Sequence, residues 1–369
     1  MRRMYFKRTF HPVGQGAFYV EKFELPNGST FTIVYDCGSL TLKQEELKKR
    51  IKGVFPKGHQ IDILFISHFH ADHINGIEAL KEHCRIKKVV LPLIDDEEKI
   101  ILKVSNYIET KDSCEEIIET PEQYFENSII IKINPVDMDS TPKDVDPIDI
   151  SNIEENTTLS SGTVLKDKRN GFLDWVFIPY NYKQNERKNQ FKRKIKFPLK
   201  KITIDNIEEY KDKLTDAYKA IEGDLNGNSM ALYSGPLKDN YSFLCYRYRP
   251  FYTYCLDPYQ LQSGCLYTGD VNLKNRGLIK DIKERLDRVS QFIGTLQVPH
   301  HGSEHNFKES ILKIGKISSA VCSFGIRNSY GHPAYTVIEK VVDKEIIPCL
   351  VTEDFGTIVV QEGFFYEEI

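Results

Sequence analysis

The chain of 369 residues is long enough for two average domains or for one large domain built on two sheets. Its composition, with 40% hydrophobic and 28% charged residues, is that of a soluble globular protein with a sizeable core. The net charge of −3 excludes a global basic field that would recruit nucleic acid, so any such surface must be a local patch.

The eight cysteines are scattered and form no C-x-x-C pair. This pattern favours buried free thiols in a reducing compartment over a disulfide framework or a zinc ribbon. The N-terminus begins basic but lacks the apolar core of a signal peptide. No run approaches about 20 apolar residues, so a membrane span is not expected. These features predict a cytoplasmic protein.

The first forty residues predict two strands. The first is broken at residues 14–16 (G-Q-G), a weak signal for a turn or for close backbone approach to a site. The second, Thr30–Tyr35, ends in the sequence D-C-G-S, which begins at Asp36. Considered alone, Asp36 could instead be a turn residue that caps the next helix, predicted over Leu42–Lys52.

A string of potential metal ligands follows at residues 67–73 (S-H-F-H-A-D-H), directly after an apolar run that predicts a strand. Alternate side chains of a strand share a face, so His68 and His70 can point the same way. Asp72 and His73 lie past the strand end, where a turn can aim them at a neighbouring point. Neutral imidazole and carboxylate are ligands for zinc and also suit manganese or iron. The alternative is a histidine-rich surface loop, which would require three of the ten histidines to gather by accident.

The middle of the chain, about residues 94–222, is irregular, and we interpret it as an elaboration of one domain. Before it, a helix is predicted over Ile74–His83 and a strand over Val89–Leu93. Within it, the patterns predict two helices and three strands: helices near 97–109 and at 210–222, and strands at 129–134, 163–166 and 175–179.

The run 183–201 carries nine basic residues against one acid, interleaved with two phenylalanines. It could bind phosphates while its aromatic rings stack bases. The alternative is a solvated loop. The predicted nucleic-acid patch consists of Lys192, Arg193, Lys194 and Lys196.

The second half of the chain predicts further strands that lead to polar residues. Asn228 precedes a strand over Met230–Ser234, and the strands Tyr241–Tyr248 and Tyr252–Leu256 follow. The strand Gly264–Thr268 leads to Gly269 and Asp270. A carboxylate in that position suits a bridge between two metals, although an ordinary turn aspartate is the alternative.

Two histidine motifs complete the set. His300 and His301 are adjacent, and neighbours on a strand face opposite ways, so both can reach one site only from a loop. Pro299 and Gly302 favour such a loop. His332 follows a predicted strand over residues 320–324, and its alternative role is a turn histidine packed under a proline. A helix over 335–342 and a strand over 357–361 are the last predicted elements.

The string H-x-H-x-D-H resembles the metal-binding signature of the metallo-β-lactamase superfamily. The order G-Q-G, D-x-G-S, H-x-H-x-D-H, N-x-N-S, T-G-D, P-H-H-G-S, Y-G-H-P and T-x-D-x-G resembles the hydrolase domain of ComEC-type competence proteins and their stand-alone cytoplasmic relatives. The membrane-channel portion of the competence proteins is absent, so DNA uptake is not implied. The resemblance leaves the middle of the chain uncovered. It implies an α/β fold, the metallo-β-lactamase-type αββα four-layer sandwich, as a single domain over residues 1–369 with the elaboration at about 94–222.

The resemblance also implies a site for two divalent metal ions, with zinc expected and manganese as the alternative. The implied ligands are His68 and His70 for metal one, Asp72, His73 and His300 for metal two, and Asp270 as the bridge. His300 and His301 remain close alternatives for the metal position. The catalytic residues are expected to be Asp72, His301 and His332, of which the two histidines would bind the scissile phosphate or protonate the leaving oxygen. Residues expected to orient a ligand or to contact substrate are Asp36, Asn228 and Ser303.

One position departs from the superfamily pattern. Many members place a histidine before the strand that precedes T-G-D, whereas this chain has Asn228 there. An amide oxygen binds zinc more weakly than imidazole, so metal one would be loose, manganese-preferring or completed by substrate. ComEC-type relatives share this asparagine, so the departure does not imply an inactive protein.

Three functional hypotheses follow. Two metal ions lower the pKa of bound water toward ~7 and neutralise phosphodiester charge, so a nuclease acting on DNA needs no serine or cysteine nucleophile. Stand-alone relatives act as effectors in bacterial anti-phage defence, which implies a nuclease controlled by a regulatory protein partner.

A small-molecule hydrolase of the same fold, acting on a cyclic nucleotide, lactone, thioester or lactam, is the second hypothesis. A non-catalytic subunit that binds a partner is the third. The sequence leaves the oligomeric state open.

Overall fold

The computed structural model describes most of the chain outside the middle segment. The described ranges are residues 2–112, 114–136, 146–167, 175–182, 229–238, 242–248, 252–254 and 262–367, with isolated positions between 193 and 216.

The strands alternate with helices in two β-rich halves. In chain order the strands are β1 Arg2–Phe10, β2 Phe18–Glu24, β3 Thr30–Cys37, β4 Gln60–Phe65, β5 Arg85–Pro92, β6 Ile129–Asn134, β7 Ile148–Asp149, β8 Thr157–Ser160, β9 Leu165–Lys166, β10 Trp175–Tyr180, β11 Ala231–Pro236, β12 Ser242–Tyr248, β13 Tyr252–Tyr254, β14 Gly264–Tyr267, β15 Ile293–Gln297, β16 Ser319–Ser323, β17 Ile347–Val351 and β18 Val359–Glu367. The α-helices are α1 Gln44–Val54, α2 Ala71–Ile74, α3 Ile77–His83, α4 Asp96–Thr110, α5 Glu115–Glu119, α6 Pro121–Tyr124, α7 Leu278–Arg285, α8 Asp287–Ser290 and α9 Tyr335–Val342.

These strands form two mixed sheets. The first sheet has the order β13-β12-β18-β1-β2-β3-β4-β5-β6-β8, and the second has the order β17-β16-β15-β14-β11-β10-β9-β7. The strands β3 to β6 run parallel, as do β14 to β17. Parallel strands place their carboxyl ends at the same edge of a sheet, and this edge carries the residues described in the next section.

Three apolar clusters mark the layers of the fold. The central cluster joins the two sheets through large aromatic side chains such as Phe6, Trp175 and Tyr267. A second cluster packs α7 and α9 on the second sheet, and a third packs α1, α3 and α4 on the first sheet. A strand that is covered on both faces has a continuous run of apolar residues, and β10 (W-V-F-I-P-Y) is an example because all six of its residues are buried. The predicted α/β four-layer αββα sandwich is therefore confirmed.

Several predicted boundaries were wrong. The strand before the metal string ends at Phe65, so residues 66–70 are a loop. The helix predicted over Ile74–His83 begins at Ile77, as α3, and ends at His83 as predicted. A separate short helix, α2, ends at Ile74, and a Cβ on Gly76 between the two would lie 2.9 Å from the carbonyl oxygen of Cys37. The sequence analysis also missed α7 and β15. The helix predicted at 210–222 lies outside the described residues, apart from isolated positions.

The segment over 94–222 contributes to both sheets. Its strands β6 and β8 extend the first sheet, and β7, β9 and β10 extend the second. Its helix α4 begins with a capping box, in which the Asp95 side chain accepts from the Glu98 backbone N–H and the Glu98 side chain accepts from Asp95. The described part of this segment is thus continuous with the sandwich.

Two expectations from composition can be compared with the structure. Cys37, Cys84, Cys265, Cys322 and Cys349 are buried free thiols, and Cys114 is a half-buried free thiol. Across the same ranges, no helix combines the length and the apolarity needed to cross a membrane.

A buried ion pair lies between the two sheets, at a distance along the chain from the predicted metal ligands. The guanidinium of Arg8 donates from Nε to Glu21 Oε1 at 2.6 Å, and both side chains are fully buried. Tyr267 and Ser234, from the second sheet, donate hydroxyl hydrogen bonds to Glu21 at 2.8 and 2.5 Å. Burial opposes the charge of Arg8, but Glu21 outweighs that effect and holds the pKa of Arg8 above its usual value. The pair therefore joins the two sheets at a point where an unpaired charge would be costly.

We expect Arg8→Met to lower the free energy of unfolding by about 3–5 kcal/mol, because it leaves the Glu21 carboxylate buried without its cation. Chemical denaturation of the variant measures the loss. The double variant Arg8→Met/Glu21→Leu is the control, and it should recover part of the stability because neither charge then remains. A single variant as stable as the parent protein would contradict this role for the pair.

Candidate metal centre

The predicted ligands meet at the edge where the parallel strands of both sheets end. Asp36 lies near the end of β3, and the loop 66–70 and helix α2 follow β4. Asp270 follows β14 across the interface, and His300 and His301 follow β15. The two halves of the chain therefore supply ligands to one place between the sheets.

Asp36 is fully buried beneath this cluster and organises the loop that follows β4. Its Oδ1 accepts the backbone N–H of Ser67 at 2.7 Å, and its Oδ2 accepts the Ser67 hydroxyl at 2.6 Å. The same Oδ2 lies 2.8 Å from His73 Nδ1, so Nδ1 carries the proton and Nε2 faces the cluster. Asp36 holds this position with φ +57°, a backbone conformation that aspartate tolerates better than most residues.

His68, His73 and Asp270 form the centre of the cluster. Asp270 Oδ2 lies 3.6 Å from His68 Nε2, and Asp270 Oδ1 lies 3.3 Å from His73 Nε2. Each oxygen of this carboxylate thus faces a different imidazole, as a bridge between two cations requires. Ser67 Oγ lies 2.8 Å from His68 Nδ1, which leaves Nε2 directed at Asp270.

The histidine doublet adopts a left-handed backbone, with φ values of +48° for His300 and +54° for His301. His301 Nδ1 lies 2.8 Å from the carbonyl oxygen of Ser323, and its Nε2 lies 3.0 Å from Asp72 Oδ2. His300 Nε2 is 3.8 Å from Asp270 Oδ2, and its side chain is 20% exposed, against 4% for His301. His300 and His301 were close alternatives for metal two, with His300 preferred. The geometry favours His301, which belongs to a compact group of potential ligand atoms, but which of the two binds a metal stays a prediction.

Two overlapping groups have the composition and spacing of metal sites. Asp72, His73, Asp270 and His301 form one group, and His68, His70 and Asp72 form the other. Within each group the potential ligand atoms lie within 4.8 Å of one another. The buried Nε2 atoms of His68 and His73 have no hydrogen-bond partner among the described residues. Buried imidazole nitrogens left open beside carboxylates fit divalent cations such as zinc or manganese.

The pKa shifts of the cluster show how its charges are balanced. Burial opposes ionisation of both carboxylates, but the neighbouring histidines outweigh it, so the pKa values of Asp72 and Asp270 lie below the usual value. Burial and then His73 hold the pKa of His68 well below its usual value. For His73, the three carboxylates of Asp270, Asp72 and Asp36 outweigh burial and raise the pKa well above its usual value. The cluster thus stabilises positive charge next to two ionised carboxylates.

Close backbone contacts surround the cluster. At Gly269, with φ +50°, a Cβ would lie 2.2 Å from Ser229 Oγ, so only glycine fits between Ser229 and the loop. Ser229 Oγ in turn accepts the backbone N–H of Asp270 at 3.0 Å and lies 3.3 Å from His68 Nδ1. At Gly16, a Cβ would lie 2.7 Å from the carbonyl oxygen of Asp72, so the G-Q-G turn does bring backbone against the site.

Helix α4, from the middle segment, also supports the loop 66–70, which we call the metal loop. The side chain of Asn106 donates to the carbonyl oxygen of Phe69 at 2.8 Å and accepts the backbone N–H of Ala71 at 3.0 Å. Sequence reasoning missed Asn106, Ser67 and Ser229. Ser67 and Ser229 each lie within a quoted motif but were given no role, whereas nothing in the sequence connects Asn106 to the loop 37 residues before it.

A cavity of about 270 Å³ opens onto the cluster, and we call it the metal cavity. Its lining includes the ligands His70, Asp72 and Asp270, and further residues from several loops, namely Gln15, Leu40, Glu109, His300, Ser303, His305, Asn306, Tyr330 and His332. The His332 ring stacks on that of Tyr330 with centroids 5.7 Å apart. Burial, followed by the neighbouring His300 and His301, lowers the pKa of His332 to about 3, so its imidazole is neutral.

The remaining predicted residues are Asn228 and the four residues of the basic patch. Asn228, Lys192 and Lys196 lie outside the described residues. Arg193 and Lys194 are described and exposed, in a short helical stretch. The position of the basic patch relative to the cluster therefore stays a prediction.

Residues 17–141 match the sequence profile of the Metallo-beta-lactamase superfamily, whose members are metal-dependent hydrolases. The fold is the metallo-β-lactamase fold. No curated protein matches the chain.

Two solved structures illustrate what the chain is similar to. One is a long-form RNase Z from yeast, with 12% identity and a TM-score of 0.35, covering 97% of this chain. This chain spans 42% of the length of that RNase Z chain. The other is MEM-A1, a subclass B3 metallo-beta-lactamase isolated from a soil metagenome library, with 12% identity and a TM-score of 0.29, covering 82% of this chain and 80% of that one.

We expect His301→Ala to lose one of two bound divalent ions and His300→Ala to retain both, because His301 belongs to the compact ligand group and His300 lies at its rim. Zinc-loaded and manganese-loaded proteins are dialysed, and their metal content is measured by mass spectrometry. His305→Ala, an exposed histidine of the same loop, is the control. Equal metal loss in His300→Ala and His301→Ala would show that this assignment of the doublet is wrong.

Proposed function

We propose that this chain is a binuclear-metal-dependent phosphodiesterase that cleaves nucleic acid, with DNA as its substrate. The observation that carries the proposal is the wall of the metal cavity, where His300, His305 and His332 lie beyond the compact ligand group. Imidazole N–H groups are suitable donors to phosphate oxygens. The match of residues 17–141 to a superfamily of metal-dependent hydrolases supports the reaction class.

The proposed metal ligands are His68, His70, Asp72, His73, Asp270 and His301. Two divalent ions held there would supply Lewis acidity and would make water reactive at neutral pH. The protein's own contribution is to fix the ligands: Asp36 holds the proton on His73 Nδ1, and the Ser323 carbonyl holds the proton on His301 Nδ1. No serine or cysteine nucleophile is needed.

His332 is proposed to contact the substrate. As a neutral imidazole it can donate one N–H to a phosphate oxygen, and its Nδ1 has no hydrogen-bond partner among the described residues. Its low pKa disfavours the alternative role of proton donor to the leaving oxygen. Tyr330, which is 56% exposed and stacked on His332, offers a flat surface for a base or sugar next to that phosphate.

The size of the metal cavity limits what it can enclose. Its volume of about 270 Å³ is near the lower end of ligand pockets, which are typically about 300–1,000 Å³. It can accept the reacting phosphodiester and its nearest neighbours, so the rest of a polymer would lie on the outer surface. The same volume favours a second candidate, the hydrolysis of a small molecule such as a cyclic nucleotide.

A basic patch at Lys192, Arg193, Lys194 and Lys196 is proposed to hold the DNA backbone outside the metal cavity. The ComEC-like motif order further supports a role as an effector of anti-phage defence, under the control of a protein partner.

We expect metal-loaded protein to cleave single- or double-stranded DNA, and we expect Asp72→Ala to abolish cleavage because Asp72 belongs to both ligand groups. His332→Ala should retain its metal but lose about 10- to 100-fold in rate, the effect of one hydrogen bond to a charged group. Cleavage of labelled DNA and RNA, with zinc or manganese, is the measurement.

Cyclic nucleotides, a lactone, a thioester and a lactam are assayed in parallel. His83→Ala is the control, because His83 does not line the metal cavity and instead makes a hydrogen bond to the carbonyl oxygen of Phe55. Turnover of a small molecule with no DNA cleavage would favour the second candidate. Bound metal without turnover on any substrate would instead support a non-catalytic subunit.

We expect the triple variant Lys192→Gln/Arg193→Gln/Lys194→Gln to bind DNA with a weaker salt dependence. Loss of three phosphate contacts should reduce the slope of log K against log salt by about 2 to 3. Fluorescence anisotropy over a range of salt concentrations measures the slope. A control that neutralises the exposed Lys280, Lys283 and Lys313 should keep the original slope, and an unchanged slope in the first variant would exclude this patch.

A further inference from the structure

A second cavity, of about 610 Å³, lies beside α1 on the helix-facing side of the first sheet. We call it the basic cavity. None of its lining residues lines the metal cavity. Its volume lies within the range of small-molecule sites, about 300–1,000 Å³.

The basic cavity concentrates positive charge in a chain whose net charge is −3. Four cationic side chains line it, and among its described lining residues the one carboxylate is that of Glu46. The four cations are Lys7, Lys22, Lys49 and Arg50. Such an excess of one charge in a concave site attracts a ligand of the opposite charge.

Two of these lysines face each other across the sheet. Lys7 on β1 and Lys22 on β2 are direct partners in the antiparallel register. Like charges in that position are destabilising. Glu362 lies 3.6 Å from Lys7, whereas Lys22 Nζ donates to the carbonyl oxygen of Val54 at 3.0 Å. Burial and then Lys7 lower the pKa of Lys22. The fold therefore keeps a pair of lysines that an anionic ligand would stabilise.

Two buried nitrogen atoms at this cavity have no hydrogen-bond partner among the described residues, namely His11 Nε2 and Arg50 Nε. The rest of the Arg50 guanidinium is fixed: it donates to the Pro12 carbonyl and to Glu46 Oε1, and it lies 3.9 Å above the Phe355 ring. A buried polar atom left without a partner is uncommon and calls for an explanation. Both atoms are closed to solvent, so they lie behind the cavity wall, and the attraction for a ligand comes from the lysines that line the cavity.

The remaining wall is apolar and includes one exposed aromatic ring. Val20, Ile358 and Val360 line it, and Phe355 is 67% exposed. Because Arg50 covers one face of the Phe355 ring, the other face can stack on a flat group. The cavity thus combines cations for phosphates with a surface for an aromatic body.

We propose that the basic cavity binds a small molecule with two or more phosphate groups on an aromatic body, as in a nucleoside di- or triphosphate. Lys7, Lys22 and Lys49 contact the phosphates, and Phe355 contacts the base. This site is independent of the proposed nuclease activity. Residues 11–15 connect the two cavities, because His11 and Pro12 line the basic cavity and Gln15 lines the metal cavity. The ligand therefore binds away from the potential metal ligands, on a segment that reaches both cavities.

Binding is tested with ATP and with tripolyphosphate, by calorimetry on the full chain in the presence of a chelator, so that the metal centre does not contribute. We expect ATP to bind, and to bind more tightly than tripolyphosphate. Lys22→Met and Lys49→Ala should each weaken ATP binding about 10- to 100-fold, because each removes a charged contact to phosphate. Lys52→Ala, on the same helix but outside the cavity, is the matched control and should bind as the parent protein does.

Thermal unfolding separates a binding role from a structural one. Without ligand, Lys22→Met should change the unfolding temperature little, because the lost contacts of Lys22 with the Val54 carbonyl and the Phe55 ring are offset by removal of its repulsion with Lys7. A large loss of stability would indicate a structural lysine and would contradict the proposal.

Absence of ATP binding, or binding that is lost in His70→Ala but kept in Lys22→Met and Lys49→Ala, would overturn the proposal. Equal affinities for ATP and tripolyphosphate would overturn the proposed contact with Phe355. None of these outcomes depends on whether the chain cleaves DNA.

Discussion

The hydrogen bonds of one buried carboxylate organise the metal centre. Asp36 is fully buried, and burial raises its pKa because the ionised form loses its hydration. Its oxygens therefore need donors, which the backbone N–H and hydroxyl of Ser67 and the imidazole of His73 supply. Satisfying Asp36 fixes the start of the metal loop and directs His73 Nε2 toward Asp270. The geometry of the potential ligands thus depends on Asp36, which belongs to neither of the two groups that could hold a metal.

The interface between the two sheets contains polar groups in two arrangements. In the first, the Arg8–Glu21 pair is neutralised internally and accepts further hydroxyl donors, so it joins the sheets without an open position. In the second, the Nε2 atoms of His68 and His73 face the carboxylate of Asp270 and have no hydrogen-bond partner among the described residues. The first arrangement is satisfied within the protein, whereas the second could hold a cation. The metal centre is distinguished by polar atoms that the protein alone does not satisfy.

The middle segment supplies contacts to the site that do not belong to any of the quoted motifs. Helix α4 holds the metal loop through both atoms of the Asn106 amide, and Glu109 from the same helix lines the metal cavity. Periodicity predicted this helix near 97–109, and the observed helix is Asp96–Thr110. Its contact with the loop could not be predicted, because a helical pattern shows which face is apolar and not which distant backbone its polar side chains reach.

The amino-acid sequence by itself determined the fold class, through the resemblance of its motifs to the metallo-β-lactamase superfamily. Apolar runs predicted the main strands, and the imidazoles and carboxylates that follow them predicted a metal site, which the structure shows as a cluster that could hold metal ions. Only the tertiary structure decided that His301, rather than His300, joins the compact ligand group. Adjacent residues in a left-handed turn point in directions set by distant acceptors, here Ser323 and Asp72, and no local pattern contains that information.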